Sequence, residues 1–484
     1  MDKSLLQIQS GGRSLTYAGI CIGLLCILYA AFIGQLGMMI LVGALPFLLL
    51  SVAYAFKSPL YSFMIFFAGN YFIMSFNRYA NITGVSLIID ILIVFTFLVT
   101  LIRSALYENI PWKRVKNPVT LGTIIWMLYT FLEVINPNSK IEAWVASRQL
   151  IYGCTAVVIL TCVLFTKKKY LFNLIGLLSA FTFIAALKAL EQKFIGWDAA
   201  ESKWLFEDGG ALTHIIWSGT RYFSIFTDAS NFGSNMGFAT LIYAIIAFQV
   251  KNRGLRIWYI IVAGLSCYCM FISGTRGAII VPLGGLAYFS LLSKNAKALT
   301  SSFSVLVVLF CFFVFTTIGE SNSYIRRMRT AFNPTEDASY NVRVDNQKLI
   351  GAYMKDKYFG EGLGLGGVEA QRFGKTYINS IPVDSWYVKL WVETGIIGLT
   401  LYLIVYAISL TWGSYLLMTK VKDRQLRGVM AALASGCFGM ILSAYGNSFF
   451  GQYPTHFLVF ISLALLSISP YLDKEENETK LITD

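Results

Sequence analysis

Apolar positions along this chain come in long blocks, separated by short segments rich in Gly, Pro, Asn and charged residues. A helix needs about 20 apolar residues to cross the hydrocarbon core of a bilayer. Runs of roughly that length fall at 17–34, 36–55, 59–75, 83–102, 119–135, 149–166, 171–192, 229–249, 257–272, 277–293, 302–319, 390–418, 428–447 and 455–471. The pattern predicts an all-α polytopic membrane protein of about 14 spans (12–14), a single membrane domain over 1–484. Gly43, Pro46 and Gly69 interrupt the second and third runs, and 390–418 is long enough to begin as a surface helix or to tilt.

Composition agrees. Of 484 residues 56% are apolar and 13% charged, about half the charge of a soluble domain. Disorder, collagen and a disulfide scaffold are excluded. The eight cysteines all fall inside apolar runs, where they read as small helix-packing residues. Met1 to Ser14 is polar and the first apolar run is followed directly by another, so that run reads as its own insertion signal.

Basic residues set an orientation through the positive-inside rule. With the N-terminus inside, cytoplasmic segments collect Arg13, Lys57, Arg103, Arg114, Lys167 to Lys169, Arg253, Lys294 and Arg424 with their basic neighbours, whereas the opposite short loops hold Arg78, Lys140 and Arg276. Even parity puts the C-terminus inside too. The net charge of +13 then follows from topology, and no nucleic-acid partner is implied. Two longer segments, 193–228 and 320–389, fall on the extracytoplasmic side. Long loops are usually functional, so the chemistry is expected there.

Asp90 is a carboxylate inside a span, either functional or bonded to a neighbouring helix. Lys188 and Glu191 are spaced to pair on one helix face. Arg148, Arg221, Arg276 and Arg343 are each placed at or just above the outer membrane boundary. Arginine keeps its charge when partly desolvated and grips phosphate with a planar fork, so these four are candidate pyrophosphate ligands. The alternative for each is an interfacial or loop ion pair, weakest for Arg276 in its Ser-Gly-Thr-Arg-Gly turn. Asp228 stands in a polar segment with Arg221. Arg326, Arg327 and Arg329 read as a basic amphipathic helix on anionic headgroups. Gly360 to Gly367 lacks a βαβ context and reads as a flexible turn near the site. Asp384, beside Trp386 and Tyr387, suits a general base near a sugar and also a helix N-cap, with Asp345 in reserve. With two histidines and no Asp-x-Asp, no metal and no cofactor are expected.

In this order and spacing, Arg221 to Gly233, Ser273 to Gly277, Arg343, Gly360 to Gly364, and Asp384 with Glu393, Gly395 and Gly398 resemble the O-antigen polymerase/ligase family over about 145–415. The ligases of that family carry a His where this chain has Asp384-Ser385, which turns the expectation toward a Wzy-type polymerase. The resemblance implies a GT-C-like, metal-independent, inverting glycosyltransferase. Its donor and acceptor would be undecaprenyl-pyrophosphate-linked glycans, joined at the outer face of a bacterial inner membrane into O-antigen (lipopolysaccharide), capsule or exopolysaccharide. Arg148, Arg221, Arg276 and Arg343 would hold the pyrophosphate and Asp384 would act as base. Membrane lipids and a chain-length regulator are the remaining candidate partners. The rival readings are an O-antigen ligase and, in another class, a lipid-linked oligosaccharide flippase. Flippases usually have short loops and two related halves.

Overall fold

The helices begin where side chains can satisfy their free N–H groups. In the computed structural model, which describes residues 52–80, 84–107, 110–216, 219–293, 296–332 and 338–483, the apolar runs become α1 (Pro59–Ala80), α2 (Leu87–Tyr107), α3 (Pro118–Leu132), α4 (Cys154–Leu164), α5 (Lys168–Phe194), α6 (Ala229–Gln249), α7 (Arg253–Ile272), α8 (Ile280–Leu292) and α9 (Ala296–Phe315). Two loop helices follow, α10 (Ser323–Arg329) and α11 (Ala338–Tyr353), then α12 (Trp386–Thr419), α13 (Arg424–Ser443) and α14 (Thr455–Thr483). Asn117 caps α3 ahead of Pro118, Asp228 caps α6, Asn252 caps α7 and Asp423 caps α13. A π turn, Gln149–Gly153, leads into α4, and a 3₁₀ turn, Arg276–Ile279, leads into α8.

Among the described residues nine helices are long and apolar enough to cross a membrane, and Gln149–Leu164, Arg276–Leu292 and Leu299–Phe315 are shorter apolar helices. These twelve coincide with the last twelve expected runs. The run 17–34 and nearly all of 36–55 lie outside the described residues. The chain is thus an all-α, multi-pass membrane protein.

Burial separates centre from periphery. The apolar stretches of α6, α13 and α14 are 83%, 72% and 89% buried, against 33% for α2 and α7. A helix that is apolar all round and buried on most of its surface is central to a bundle. At one end, the backbone N–H groups of Lys422 and Asp423 donate to the Asp473 carboxylate at 2.9 and 2.8 Å, tying the α12–α13 turn to α14. At the other end the long loops gather. The six described cysteines are free thiols.

The long 390–418 run is not one continuous helix. α12 is broken at Gly395, whose φ of 66° takes it out of the helical region. An added Cβ there would sit 1.9 Å from the Tyr358 carbonyl oxygen, so only glycine permits the loop to approach this closely. Residues 360–367 are likewise no flexible turn. Gly360, Gly362, Gly364 and Gly367 hold positive φ, the N–H groups of Glu361 and Gly362 bond Val392 and Glu393 carbonyls at 2.8 and 3.0 Å, and most of the segment is buried. The loop has its own apolar core of Ile350, Met354, Ile378, Ile381 and Val392, which joins α11 to the start of α12.

Candidate functional site

The first long loop is pinned by polar contacts that sequence order only hinted at. Lys188 Nζ lies 3.1 Å from Glu191, the expected pairing, but also 2.9 Å from Asp198 and 3.3 Å from Glu201. Gln192 donates to Glu201 at 2.7 Å and accepts from the Ser224 N–H at 2.9 Å. Arg78, at the end of α1, donates to the carbonyls of Ser224 and Phe226 at 2.9 and 2.7 Å, with its guanidinium over the rings of Trp204 and Phe223. This fixes the segment 221–228 that enters α6.

Above α6 lies a cavity of about 980 Å³. It is bounded by that segment, the Gly274–Gly277 turn, α10, the glycine turn at 366–367, the start of α12, and the α13–α14 connection. Arg221, Arg276, Arg326, Arg327, Arg343 and Lys389 line it against the carboxylates Asp228, Glu369 and Asp384, so among the described residues cations outnumber acids six to three. Three of these six, Arg221, Arg276 and Arg343, were expected from the sequence, and the structure brings them together.

Arg221 is held on three sides. Its backbone N–H donates to the His214 carbonyl at 2.8 Å. Its guanidinium donates to Thr213 O at 3.0 Å, Thr275 Oγ1 at 3.0 Å and Ser230 Oγ at 3.4 Å. Nε is buried with no hydrogen-bond partner among the described residues. Burial pulls its pKa below the ordinary arginine value, and Asp228 works the other way. Asp228 itself is spent on structure. It accepts the Ser230 and Asn231 N–H groups at 2.7 and 2.9 Å as the α6 cap, and Gln452 Nε2 at 2.8 Å.

Arg276 follows Gly274, whose φ of 59° closes the turn. Its Nη1 reaches Thr330 Oγ1 at 3.4 Å. Across the cavity, Arg343 Nε donates to Asp384 Oδ2 at 3.0 Å. Asp384 is not the cap of α12. Ser385 takes that role by accepting the Val388 N–H, which leaves the Asp384 side chain half exposed toward the cavity.

Three candidates stand elsewhere. Arg148 does not line the cavity: its Nε is 2.6 Å from Asp90 Oδ2 and its Nη2 is 3.1 Å from Ser86 Oγ. Asp90 also accepts from the Tyr152 hydroxyl. A carboxylate in a span is stabilised by such a partner, so Asp90 is the bonded structural acid of the two alternatives, and it takes Arg148 with it. Asp345 forms an exposed pair with Lys348 at 3.0 Å, outside the cavity.

Among the cavity residues that sequence reasoning missed, Arg327 and His214 are the most informative. Arg327 was grouped with a lipid-facing helix. In α10 only Met328 is buried in the core, Arg329 donates to the Ile318 carbonyl at 2.7 Å, and Arg327 turns toward the cavity. His214 lines the cavity as well, but its Nε2 accepts the Ala229 N–H at 3.1 Å and its Nδ1 lies 2.9 Å from the Gly210 carbonyl. The ring is thereby fixed with its proton on Nδ1. Burial pushes its pKa down to about 4. It is a neutral structural group, with no nitrogen left to take a proton.

Residues 261–403 match the O-antigen ligase family. No curated protein matches the chain. The O-antigen ligase match runs from inside α7 through the Arg276 turn and the large loop to the Gly395 kink of α12, so it contains Arg276, Arg327, Arg343 and Asp384. Arg221 and Asp228 lie before it and are joined to it by the fold. The protein is thus a multi-pass membrane protein in which the segment similar to the O-antigen ligase family is the one that builds most of the cavity.

Proposed function

We propose that the protein is a polysaccharide polymerase that transfers a growing glycan from an undecaprenyl-pyrophosphate donor to a single lipid-linked repeat unit. The observation that carries this reading is one cavity that Arg221, Arg276 and Arg343 line together with the half-exposed carboxylate of Asp384. The acceptor hydroxyl would attack the anomeric carbon from the face opposite the pyrophosphate. A new C–O bond forms, the bond from that carbon to the pyrophosphate oxygen breaks with its electron pair, and the hydroxyl proton passes to Asp384. Fixed guanidiniums would stabilise the charge that grows on the leaving pyrophosphate, and holding both lipids at one boundary would supply proximity. Inversion follows from the single displacement.

Two features favour polymerase over ligase. The position of the ligase histidine is Asp384-Ser385, and His214, the histidine in the cavity, has both ring nitrogens engaged. The long folded loop with its own core counts against a flippase. In this reading the cavity opens at the outer face of a bacterial inner membrane, with both termini cytoplasmic.

A glycan ladder from a deletion strain beside its complemented parent tests this. Collapse to a single repeat unit on the surface acceptor is expected. Full-length chains left on the carrier lipid would make the protein a ligase, and repeat units trapped on the cytoplasmic side would make it a flippase.

A further inference from the structure

Four arginines were expected around the leaving group, and one of them, Arg148, is committed to Asp90. We infer that Arg327 takes the place left open and is a pyrophosphate-binding residue of the donor site. This rests on the donor reading above and adds a ligand to that site.

Position is the first argument. Gly274 has no side chain, and a Cβ built there would lie 3.1 Å from Arg221 Cγ and 3.7 Å from both Cδ and Nε of Arg327. The two arginine stems therefore run side by side over the turn that carries Arg276. Each lines the same cavity wall.

Rigidity is the second. α10 is capped by Asn322, which accepts the Tyr324 N–H at 2.9 Å. Met328 is fully buried. Thr330 Oγ1 donates to the Arg327 carbonyl at 2.9 Å and accepts from Arg276. The backbone of Arg327 is thus coupled directly to the Arg276 turn. A headgroup anchor would need no such coupling, because snorkelling side chains find the interface by their own flexibility.

Charge is the third. Burial, with Arg221, Arg276 and Arg343 beside it, pushes the Arg327 pKa down to about 9. Like charges held together in a partly dehydrated site cost free energy that an anion recovers. Lys389 pairs with Glu369 at 3.3 Å. Among the described residues, Arg221, Arg276, Arg326, Arg327 and Arg343 then line the cavity with Asp228 and Asp384, an excess of positive charge that suits a doubly anionic pyrophosphate diester.

The test uses the full-length protein in detergent with undecaprenyl pyrophosphate as the probe. Arg327→Gln should weaken binding about tenfold or more, as expected for losing a charge-assisted contact, and the loss should match that of Arg276→Gln. Arg327→Lys should recover part of it, because a point charge replaces a fork. Arg329→Gln, which alters a residue facing away from the cavity, should bind within about twofold of the parent. Arg327→Gln behaving like Arg329→Gln would overturn the assignment. So would a Gln variant that keeps its affinity for undecaprenyl pyrophosphate but loses co-purified phosphatidylglycerol, which would return Arg327 to the lipid surface. If Gln prevents folding, a Lys variant with unchanged affinity overturns the assignment, and one weakened severalfold supports it. Failure of the parent protein itself to bind undecaprenyl pyrophosphate would instead remove the donor reading.

Discussion

Arg343 and Asp384, 41 positions apart in sequence, meet across the mouth of the cavity with Nε 3.0 Å from Oδ2. One partner is a donor for phosphate and the other an acceptor for a proton, so the pair holds both halves of the proposed chemistry in contact before substrate arrives. A phosphate oxygen that engages Arg343 competes with the carboxylate for the same N–H. Asp384→Asn should therefore lower the rate of chain elongation by about 10²–10⁴, the range lost with a general base, while undecaprenyl-pyrophosphate affinity stays within a few-fold or tightens. Elongation in purified membranes and donor binding in detergent check the two halves. A loss of affinity with no change in rate would move Asp384 from catalysis to binding.

Arg148 and Asp90 form the opposite kind of pair, both mostly buried and away from the cavity. Removing one partner leaves an uncompensated charge at a cost of about 3–5 kcal/mol. Arg148→Gln and Asp90→Asn should each lower the melting temperature in detergent. The protein that survives should bind donor normally. A fully stable Arg148→Gln variant that fails to bind donor would put Arg148 back in the site.

Gly395 offers a steric test. Gly395→Ala must place a methyl group 1.9 Å from the Tyr358 carbonyl and hold alanine at a φ of 66°. A destabilisation of about 2 kcal/mol or more is expected, together with reduced elongation, because the kink sets the start of α12 that carries Lys389 and follows Asp384. Gly176→Ala in α5, where nothing lies within 4 Å of the added Cβ, should be neutral or slightly stabilising through helix propensity. Thermal melts of the two variants against the parent decide the point.

His214 predicts a pH effect on stability rather than on catalysis. Its folded pKa of about 4 lies below the ordinary value of roughly 6.5, so the unfolded loop binds the proton first. The stability it contributes is present above about pH 6.5 and is lost as pH falls toward 4, amounting to on the order of 3 kcal/mol. Amide-exchange protection factors of residues 211–216 and 219–229, which are corrected for the slower intrinsic exchange at low pH, should fall between pH 7 and 5. In His214→Gln that pH dependence should flatten. An elongation rate with a titration near 6.5 that disappears in the same variant would show instead that His214 transfers protons.

The Arg276 turn was legible because a charged residue between two apolar runs, flanked by glycines, has little else to do. Asp384 was legible by its place at the edge of a span. Arg148 misled because one sequence cannot show that Asp90, 58 positions away, sits beside it on a neighbouring helix. Arg327 misled because Arg326, Arg327 and Arg329 share one composition, while burial of Met328 and the bonds of Arg329 leave Arg326 and Arg327 lining the cavity and Arg329 outside it. The glycine turn at 360–367 looked loose because glycines are permissive in isolation, whereas packing against Val392 and Glu393 uses that freedom to bring two backbones together.

By itself the sequence determined the membrane class, the helices and the two long loops, because bilayer thickness and the need to satisfy backbone groups act on contiguous residues. It also determined which residues carry charge near the helix ends. Only the tertiary structure decided which of those charges cancel and which converge. An ion pair depends on distances between separate helices, and these are set by side-chain packing that no single stretch of chain contains. Arg148 was drawn off to Asp90 for that reason, and Arg327 was turned inward by the burial of Met328 beside it.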